Sequence, residues 1–429
     1  MEKLLYSGTN EIIYYEKMPN GLDVYLLPNK NTENYYLTFN TKFGSIYTEF
    51  NIGNNDKVHK IPNGVAHFLE HLTFKMEDGL DASEKFSDLG SSSNAFTSHK
   101  ITCYEVWGSN NIKENLEYLL DYVQKPYYTQ ENVEAEKGII CEEINMYADS
   151  PGSKLMDEVH QSIFVNSNYK YKVSGETKDV ENTTLEDIKL AYDTFYHPSN
   201  MFVVITGNIN PEEVLAIIEE NQSKKVFKKQ DKIKIVNQNE PNNINKEKVT
   251  VEGNVEIDKI CISLKIAKSI FKPLNISPTE LHVYLRVLLN SCFGQSSELQ
   301  EVLTKGNITP SGLYLNKRDY DNHIVINIIA ETPYKERFMT KIKEQLENLN
   351  VSEEDLNRKK KVMISNYLQS FDDIESSCYG IQMDIIDNGK IELDYFNIYN
   401  NLNMETLNKI IKKIPVNNIS TVILTKEEN

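Results

Sequence analysis

The stretch around which this chain is organised is NGVAHFLEHLTFKM, residues 63–76. If it forms a helix, in which each residue advances about 100° around the axis, His67 and His71 lie one turn apart on the same face. Glu70 falls beside His67 on that face. Two imidazoles so placed can bind one Zn²⁺ at about 2.0–2.1 Å, and a neighbouring carboxylate can take a proton from water on the metal. The pattern therefore predicts His67 and His71 as metal ligands and Glu70 as general base.

The residues between and around these three side chains are apolar, so the helix is predicted to be buried. They are Gly64, Val65, Ala66, Phe68, Leu69 and Leu72. Histidine and glutamate on a helix most often belong to a solvated surface. Three ionisable groups on a buried helix need a partner, however, and a metal ion is the natural one. The order H-x-x-E-H is the reverse of the H-E-x-x-H zinc motif and is typical of an inverzincin.

A catalytic zinc site needs a third protein ligand and an open coordination position. The helix predicted over 131–147 is the best source of that ligand. Glu134 begins a narrow stripe of small side chains at one-turn intervals on this helix. The stripe continues through Gly138, Cys141 and Asn145. Because small side chains let another helix approach closely, the stripe favours Glu134 as the third ligand.

Other glutamates of the same predicted helix stay open as candidates. Glu131 lies about 60° from Glu134 around the axis and is the second candidate for the ligand. Glu136 lies about 160° from Glu134, so it is predicted to face elsewhere. Glu142 or Glu143 is a candidate for a supporting hydrogen bond to a ligating imidazole.

The composition limits the classes of partner. The chain has 429 residues, with 46 Lys and Arg against 63 Asp and Glu, a formal net charge of −17. Nucleic-acid interfaces are basic, so this charge argues against nucleic acid and favours neutral or cationic partners such as basic peptides. Acidity also simply keeps a large protein soluble. No apolar run is long enough to predict a membrane span, and the amino terminus shows no signal-peptide pattern. The five cysteines are scattered without a C-x-x-C pair, so we predict free thiols and a cytoplasmic protein.

Strand and helix signals occur in two successive series along the chain. The first series ends near residue 225, and a segment rich in Lys, Asn and Gln, residues 226–248, is typical of a linker. The sequence therefore predicts an α+β fold with two homologous domains, 1–225 and 249–429. Each is predicted to be a mostly antiparallel β-sheet with helices packed on one face. The repeat indicates an internal duplication, although the halves share little residue identity.

Three segments carry a resemblance to a known family. They are His67-x-x-Glu70-His71 followed after 63 positions (134 − 71) by Glu134 in VEAEKGIICEEI, then Asn94-Ala95-Phe96-Thr97, and then Tyr196-His197-Pro198-Ser199-Asn200-Met201. Together they resemble the pitrilysin, insulinase and mitochondrial processing peptidase family of zinc metallopeptidases. The resemblance is strong in the amino-terminal half and weak in the other half. It is closest to the short, single-module bacterial members.

The resemblance implies roles for the candidate residues. It implies that His67, His71 and Glu134 bind Zn²⁺. It implies that Glu70 is the general base, and that two homologous domains close with a second module around a chamber. The segment Asn94 to Thr97 is then the open edge of a sheet, where a peptide substrate adds as an extra strand. Without that role the segment is an ordinary strand entry.

One segment departs from the family pattern. Active members usually carry an Arg and a Tyr in a helix–Gly–strand stretch of the second domain, where they bind the substrate backbone and the developing oxyanion. The matching stretch here, residues 296–309, contains neither. We therefore expect the chain to be the zinc-bearing subunit of a heterodimer whose homologous second subunit supplies the Arg and the Tyr. Otherwise we expect a homodimer.

The sequence as a whole predicts a zinc-dependent endopeptidase that hydrolyses peptides, or precursor and leader peptides, within a closed chamber. The alternative is a non-catalytic binding or assembly subunit with a vestigial metal site. A purely structural zinc site is disfavoured because such sites usually have four Cys or His ligands, and no such set is present in the sequence.

Overall fold

The computed structural model describes residues 1–54, 57–236 and 238–426. Strands and helices occur in separate runs along the chain, and the predicted α+β class is confirmed. The strands are β1 (Glu2–Leu5), β2 (Ile12–Lys17), β3 (Asp23–Pro28), β4 (Tyr35–Thr41), β5 (Glu49–Ile52), β6 (His59–Lys60), β7 (Ser92–Thr97), β8 (Thr102–Gly108), β9 (Met201–Gly207), β10 (Ile233–Ile235), β11 (Lys248–Gly253), β12 (Lys259–Ala267), β13 (Tyr314–Tyr320), β14 (His323–Glu331) and β15 (Ile419–Lys426). The α-helices are α1 (Val65–Thr73), α2 (Ala82–Asp88), α3 (Ile112–Gln124), α4 (Gln130–Ala148), α5 (Pro151–Ile163), α6 (Thr177–Asn182), α7 (Leu185–Phe195), α8 (Pro211–Ser223), α9 (Pro278–Cys292), α10 (Glu298–Lys305), α11 (Lys335–Glu347), α12 (Glu353–Ser370), α13 (Ile374–Asn388), α14 (Tyr395–Asn401) and α15 (Met404–Ile411). Short 3₁₀ helices cover Asn168–Lys170, Pro198–Asn200 and Lys268–Leu274.

Two compact units divide the chain, and neither is continuous in sequence. The first comprises Met1–Ile144, Lys172–Asn237 and Leu368–Leu393. The second comprises Asn145–Tyr171, Gln238–Tyr367 and Asp394–Asn429. This division differs from the two contiguous domains expected from the sequence. Residue 237 of the expected linker and residues 427–429 of the expected second domain lie outside the described residues.

Two helices account for the difference. α5, from the amino-terminal half, packs on the sheet of the second unit, where Lys265 Nζ donates a hydrogen bond to the carbonyl of Ile163 at 3.1 Å. α13, from the carboxy-terminal half, packs on the sheet of the first unit, where Cys378 and Ile381 join a buried cluster with Phe202. Periodicity shows that a helix has a buried face but not which sheet that face covers, so this arrangement could not be predicted from the sequence.

The first unit is built on a seven-stranded sheet in the order β1-β2-β3-β9-β4-β8-β7, antiparallel except between β3 and β9. Successive side chains of a strand point to opposite faces. Leu37 and Phe39 of β4 therefore join the main core with α1, whereas Tyr36 joins the cluster that α13 covers. The prediction of helices on one face is corrected here, because α13 occupies the second face. A small sheet in the order β10-β5-β6 completes the strands of this unit.

The start of α1 depends on a glycine. Gly64 precedes the helix with a φ of 81°, in the left-handed region that side chains with a Cβ rarely adopt. A Cβ on Gly64 would lie 2.1 Å from the carbonyl oxygen of Ser174. Val65, Phe68 and Leu69 then bury one side of the helix in the main core. The glycine thus sets both where α1 begins and how closely it approaches its neighbour.

The second unit is built on a five-stranded sheet in the order β11-β15-β12-β14-β13. Its first pair of neighbours is parallel and the other three pairs are antiparallel. The strands β3-β9-β4-β8-β7 of the first sheet have the same spatial order, the same directions and the same order along the chain. This repeat supports the internal duplication that the sequence indicated.

The helices of the described residues differ in length and in apolar composition. None of them combines the length and the apolar composition that crossing a bilayer requires.

Candidate metal centre

Three side chains of the first unit converge, two from α1 and one from α4. The rings of His67 and His71 have centroids 4.6 Å apart. The Oε2 atom of Glu143, on α4, lies 3.2 Å from His71 Nε2 and 3.8 Å from His67 Nε2. The structure therefore brings the two predicted histidines together with a glutamate from a second helix.

This donor set fits a zinc ion. One ligand atom from each of His67, His71 and Glu143 lies within 4.8 Å of the other two. In a tetrahedral site with metal–ligand distances of about 2.0–2.1 Å, neighbouring ligand atoms are separated by about 3.3 Å. Burial, together with the charge of His71, lowers the pKa of His67 to about 4, so this ring is neutral, as a ligand must be. Two imidazoles and one carboxylate leave a fourth position for water or substrate, which is the pattern of catalytic rather than structural zinc sites.

Glu134 does not belong to this site, and its prediction as third ligand is corrected. Its side chain is 55% exposed and accepts hydrogen bonds from Gln130 and Lys137, both at 2.9 Å. Glu143 is nine positions further along α4 (143 − 134), which corresponds to about 13.5 Å along the axis and about 180° around it. The two glutamates therefore lie on opposite faces of the same helix. The second candidate, Glu131, is also exposed.

The packed face of α4 explains the error. The residues of α4 that are buried are Val133, Glu136, Ile140 and Ile144. The stripe of small residues headed by Glu134 is not the packed face, and Gly138 has no atom within 4 Å of where a Cβ would lie. Small size was therefore the wrong criterion, and the apolar spacing of the buried residues marked the correct face.

Glu136 supports one of the histidines. It is 3% exposed, its Oε1 lies 2.9 Å from His71 Nδ1, and its Oε2 lies 3.4 Å from Lys75 Nζ. Burial alone would lower the pKa of His71, but this hydrogen bond and the nearby carboxylates raise it. Burial alone would raise the pKa of Glu136, but His71 and Lys75 hold it below its usual range. The sequence placed Glu136 elsewhere and gave the supporting role to Glu142 or Glu143, so both expectations are corrected.

Glu70 is held in a fixed orientation beside the histidines. Its side chain is 9% exposed, and Thr97 Oγ1 donates a hydrogen bond of 2.6 Å to Glu70 Oε2. Burial raises the pKa of Glu70, although this hydrogen bond and the charge of His71 act in the opposite direction. A buried carboxylate next to two imidazoles, and absent from the converging set of three, is the arrangement expected of a general base.

The segment Asn94 to Thr97 lies in β7, the edge strand of the seven-stranded sheet. β7 pairs with β8, and no other strand of the described residues pairs with its outer side. Ala95 packs against the main core and Thr97 meets Glu70, so these two side chains face α1. Asn94 and Phe96 face the other side of the sheet. The outer edge of β7 is open, as expected. The hydroxyl of Thr97 contacts the predicted general base, Glu70.

A cavity of about 530 Å³ lies on the second face of this edge. Phe96 of β7 lines it together with residues of β4, β8 and α13. The full lining is Tyr36, Phe96, Glu105, Asp373, Glu375, Ser376, Tyr379 and Gln382. Asn94 makes a hydrogen bond to Glu105 at its border. Phe96 belongs to the segment predicted from the sequence, whereas the residues of α13 were not identified, because α13 comes from the distant carboxy-terminal part of the chain.

Comparisons with known proteins show the family of this chain. The chain matches the family model described as Insulinase (Peptidase family M16) over residues 55–177 and the model described as Peptidase M16 inactive domain over residues 182–363. The Bacillus subtilis protein "Uncharacterized zinc protease YmfH" is 40% identical over 299 residues, which are 70% of this chain and 69% of that protein. The chain therefore belongs to the insulinase family of peptidases, family M16. The resemblance found in the sequence is confirmed.

Solved structures share the fold. A putative M16-like peptidase from Alicyclobacillus acidocaldarius has a TM-score of 0.91 at 25% identity, covering 99% of this chain and 100% of that one. The periplasmic protease PqqL from Escherichia coli has a TM-score of 0.77 at 17% identity, covering 99% of this chain but 48% of that one. The first likeness spans both chains in full, whereas the fold of this chain spans about half of PqqL.

Proposed function

We propose that this protein is a zinc-dependent endopeptidase that hydrolyses peptides or precursor and leader peptides. The observation that carries the proposal is the convergence of His67, His71 and Glu143 from two helices, with the separate carboxylate of Glu70 beside them. Metal-assisted hydrolysis requires side chains that bind the ion and a further acidic side chain that moves the proton, because these are separate tasks.

Each residue has one task in this proposal. Zinc held by His67, His71 and Glu143 would acidify a water molecule and polarise the peptide carbonyl. Glu70 takes the proton of the attacking water and delivers it to the leaving amine, and its raised pKa suits both steps. Glu136 accepts the Nδ1 proton of His71, which leaves the Nε2 lone pair directed toward Glu143 and fixes the tautomer.

The open edge of β7 gives a route for the substrate. An extended peptide can add to this edge through main-chain hydrogen bonds, as in other cases of strand addition. Because side chains alternate along a strand, every second side chain of such a peptide would point to the face where Phe96 lines the cavity. The other side chains would point to the face of Thr97 and Glu70, and this geometry supports cleavage next to the metal centre.

The variant Glu70→Gln tests the proposal. Gln has nearly the same shape and can still accept the hydrogen bond of Thr97, but it cannot take a proton at neutral pH. Because general base catalysis contributes about 10²–10⁴-fold, we expect peptide turnover to fall by about 10³-fold. Zinc content, measured by atomic absorption, should remain that of the wild type. If turnover and biological function are unchanged, the chain is instead an assembly subunit with a vestigial site.

We also propose that the chain works with a second homologous module, in a heterodimer or otherwise a homodimer. Two observations support this: residues 296–309 contain neither Arg nor Tyr, and the fold spans about half of PqqL. The second module would supply the Arg and the Tyr and close the chamber. Robust peptidase activity of the purified chain, shown to be a monomer or homodimer by light scattering, would contradict the heterodimer. The cytoplasmic location stays part of the proposal, supported by five cysteines that are all free thiols.

A further inference from the structure

A group of hydroxyls lies behind the metal centre, on the buried side of α1. Thr73 is the last residue of α1, two positions after His71, and is 3% exposed. Its Oγ1 donates a hydrogen bond of 2.7 Å to the carbonyl oxygen of Leu69. Tyr104 Oη lies 3.1 Å from the same Oγ1, and Tyr128 Oη lies 3.2 Å from it. One hydroxyl therefore makes three hydrogen bonds at the end of the metal helix.

The directions of these hydrogen bonds follow from counting protons. A threonine hydroxyl has one proton and two acceptor positions. Because the proton of Thr73 goes to Leu69, both Tyr104 and Tyr128 must donate to Thr73. Tyr104 has then used its own proton, so it accepts from Tyr196, whose Oη lies 2.8 Å away. The network has a single consistent arrangement.

The three tyrosines come from different parts of the first unit. Tyr104 lies on β8, and Tyr196 follows the last residue of α7. Tyr128 lies two positions before α4 begins. Thr73 thus joins the end of α1 to the segment that leads into α4. These two helices supply the whole set of ligands, the histidines from α1 and Glu143 from α4.

We propose that Thr73, through Tyr104 and Tyr128, is a positioning residue that holds the histidines of α1 in register with Glu143 of α4. The inference rests on the proposed function, since it concerns the same ligands. The cap hydrogen bonds at the end of α1 run from Phe74 to the carbonyl oxygens of its own last turn, so they do not join the helix to α4. Valine would fill the same volume as Thr73, so the hydroxyl is required for the hydrogen bonds and not for packing.

Two variants of Thr73 test the inference. In Thr73→Val the shape is kept and the hydroxyl is lost. In Thr73→Ser the hydroxyl is kept and a methyl group is lost. Loss of a group that orients metal ligands from outside the ligand set typically weakens metal binding by about 10–100-fold. We expect Thr73→Val to raise the zinc Kd, measured by competition with a chelator, by about tenfold, and Thr73→Ser to stay within about twofold of the wild type. With zinc saturating, kcat of Thr73→Val should fall while KM stays within about twofold.

A pair of tyrosines supplies a milder variant and its matched control. Tyr128→Phe removes one donor at a half-buried position, and we expect it to raise the zinc Kd by about threefold. Tyr122 is 1% exposed and packs edge-on against Tyr104 with ring centroids 5.8 Å apart. Its hydroxyl has no hydrogen-bond partner among the described residues. Tyr122→Phe should therefore leave the zinc Kd unchanged.

The outcomes separate this inference from the proposed function. A zinc Kd equal to that of the wild type in both Thr73→Val and Tyr128→Phe would overturn the inference alone. So would a Thr73→Ser protein as defective as Thr73→Val, because the methyl group would then be the important part. A wild-type chain that binds no zinc would overturn the proposed function, and the inference with it.

Discussion

The two sheets of this protein have the same topology but different chemistry. In the first unit, α1 is the first helix after β4 along the chain, and it carries His67, Glu70 and His71. In the second unit, α9 follows β12 in the corresponding place. The sequence of α9 does not contain the H-x-x-E-H pattern. The shared topology therefore supplies a platform, and the chemistry depends on a few side chains that only one copy has.

The helices after the third and fourth repeated strands differ in the same way. α4 and α12 are both the second helix after the β7-β8 or β13-β14 pair. α4 buries Glu136 and presents Glu143, whereas the residues that α12 buries are Leu356, Met363 and Tyr367. The second copy thus has an apolar face where the first has its carboxylates. A metal site needs both helices, so losing the acids of one helix is enough to remove it.

Glu136→Gln should produce the largest effect on zinc affinity among variants of residues that are not themselves proposed ligands. The change removes the charge that holds the His71 imidazole and pairs with Lys75. We expect the zinc Kd to rise by about tenfold or more. Glu142→Gln, an exposed neighbour on the same helix, should stay within about twofold. Equal zinc affinity in the two variants would mean that the buried acid of α4 is not what distinguishes it from α12.

Gly64→Ala should come next, through the stability of the fold. The alanine would need a left-handed φ and would place a Cβ 2.1 Å from a backbone oxygen. We expect a loss of about 2 kcal/mol or more in the free energy of unfolding, measured by urea denaturation of the metal-free protein.

Gly138→Ala is the matched control for that change. Gly138 lies within α4 with no atom near the position of a Cβ. Alanine favours a helix by about 1 kcal/mol over glycine, so this variant should be as stable as the wild type or more so. A loss of stability in Gly138→Ala as large as in Gly64→Ala would show that the start of α1 has no special requirement.

His282→Gln should have the smallest effect on the metal centre. His282 is a histidine of α9, and its Nε2 lies 2.7 Å from Asp319 Oδ2 in a cluster with Lys317 and Lys268. The imidazole of His282 is therefore already paired with charged side chains of the second unit. We expect zinc content and peptide turnover to be those of the wild type. A lower zinc content would mean that the second copy retains a metal-binding role.

The sequence predicted the part of the site that is local. His67, Glu70 and His71 lie within one and a half turns of one helix, so their spacing determines that they share a face. The third ligand required a choice between the faces of α4, and that choice depends on which face packs. Glu134 was selected from the wrong face, although the apolar spacing of Val133, Ile140 and Ile144 was present in the sequence.

The sequence predicted the fold class and the repeat, but not the composition of the units. Strand and helix signals repeat along the chain, which was enough to infer two similar halves. The positions of α5 and α13 depend on contacts between residues more than a hundred positions apart, such as Lys265 with Ile163. No local pattern records such contacts, and the contiguous division was wrong for that reason.

The most direct test of the account compares Glu143→Gln with Glu134→Gln. Both variants change one glutamate of α4 to the same residue, on opposite faces of the helix. Each folded protein is dialysed against a buffer that contains trace metal. The zinc bound per chain is then measured by atomic absorption. We expect the wild type and Glu134→Gln to retain one zinc ion and Glu143→Gln to lose it. Retention of zinc by Glu143→Gln together with its loss from Glu134→Gln would contradict the account.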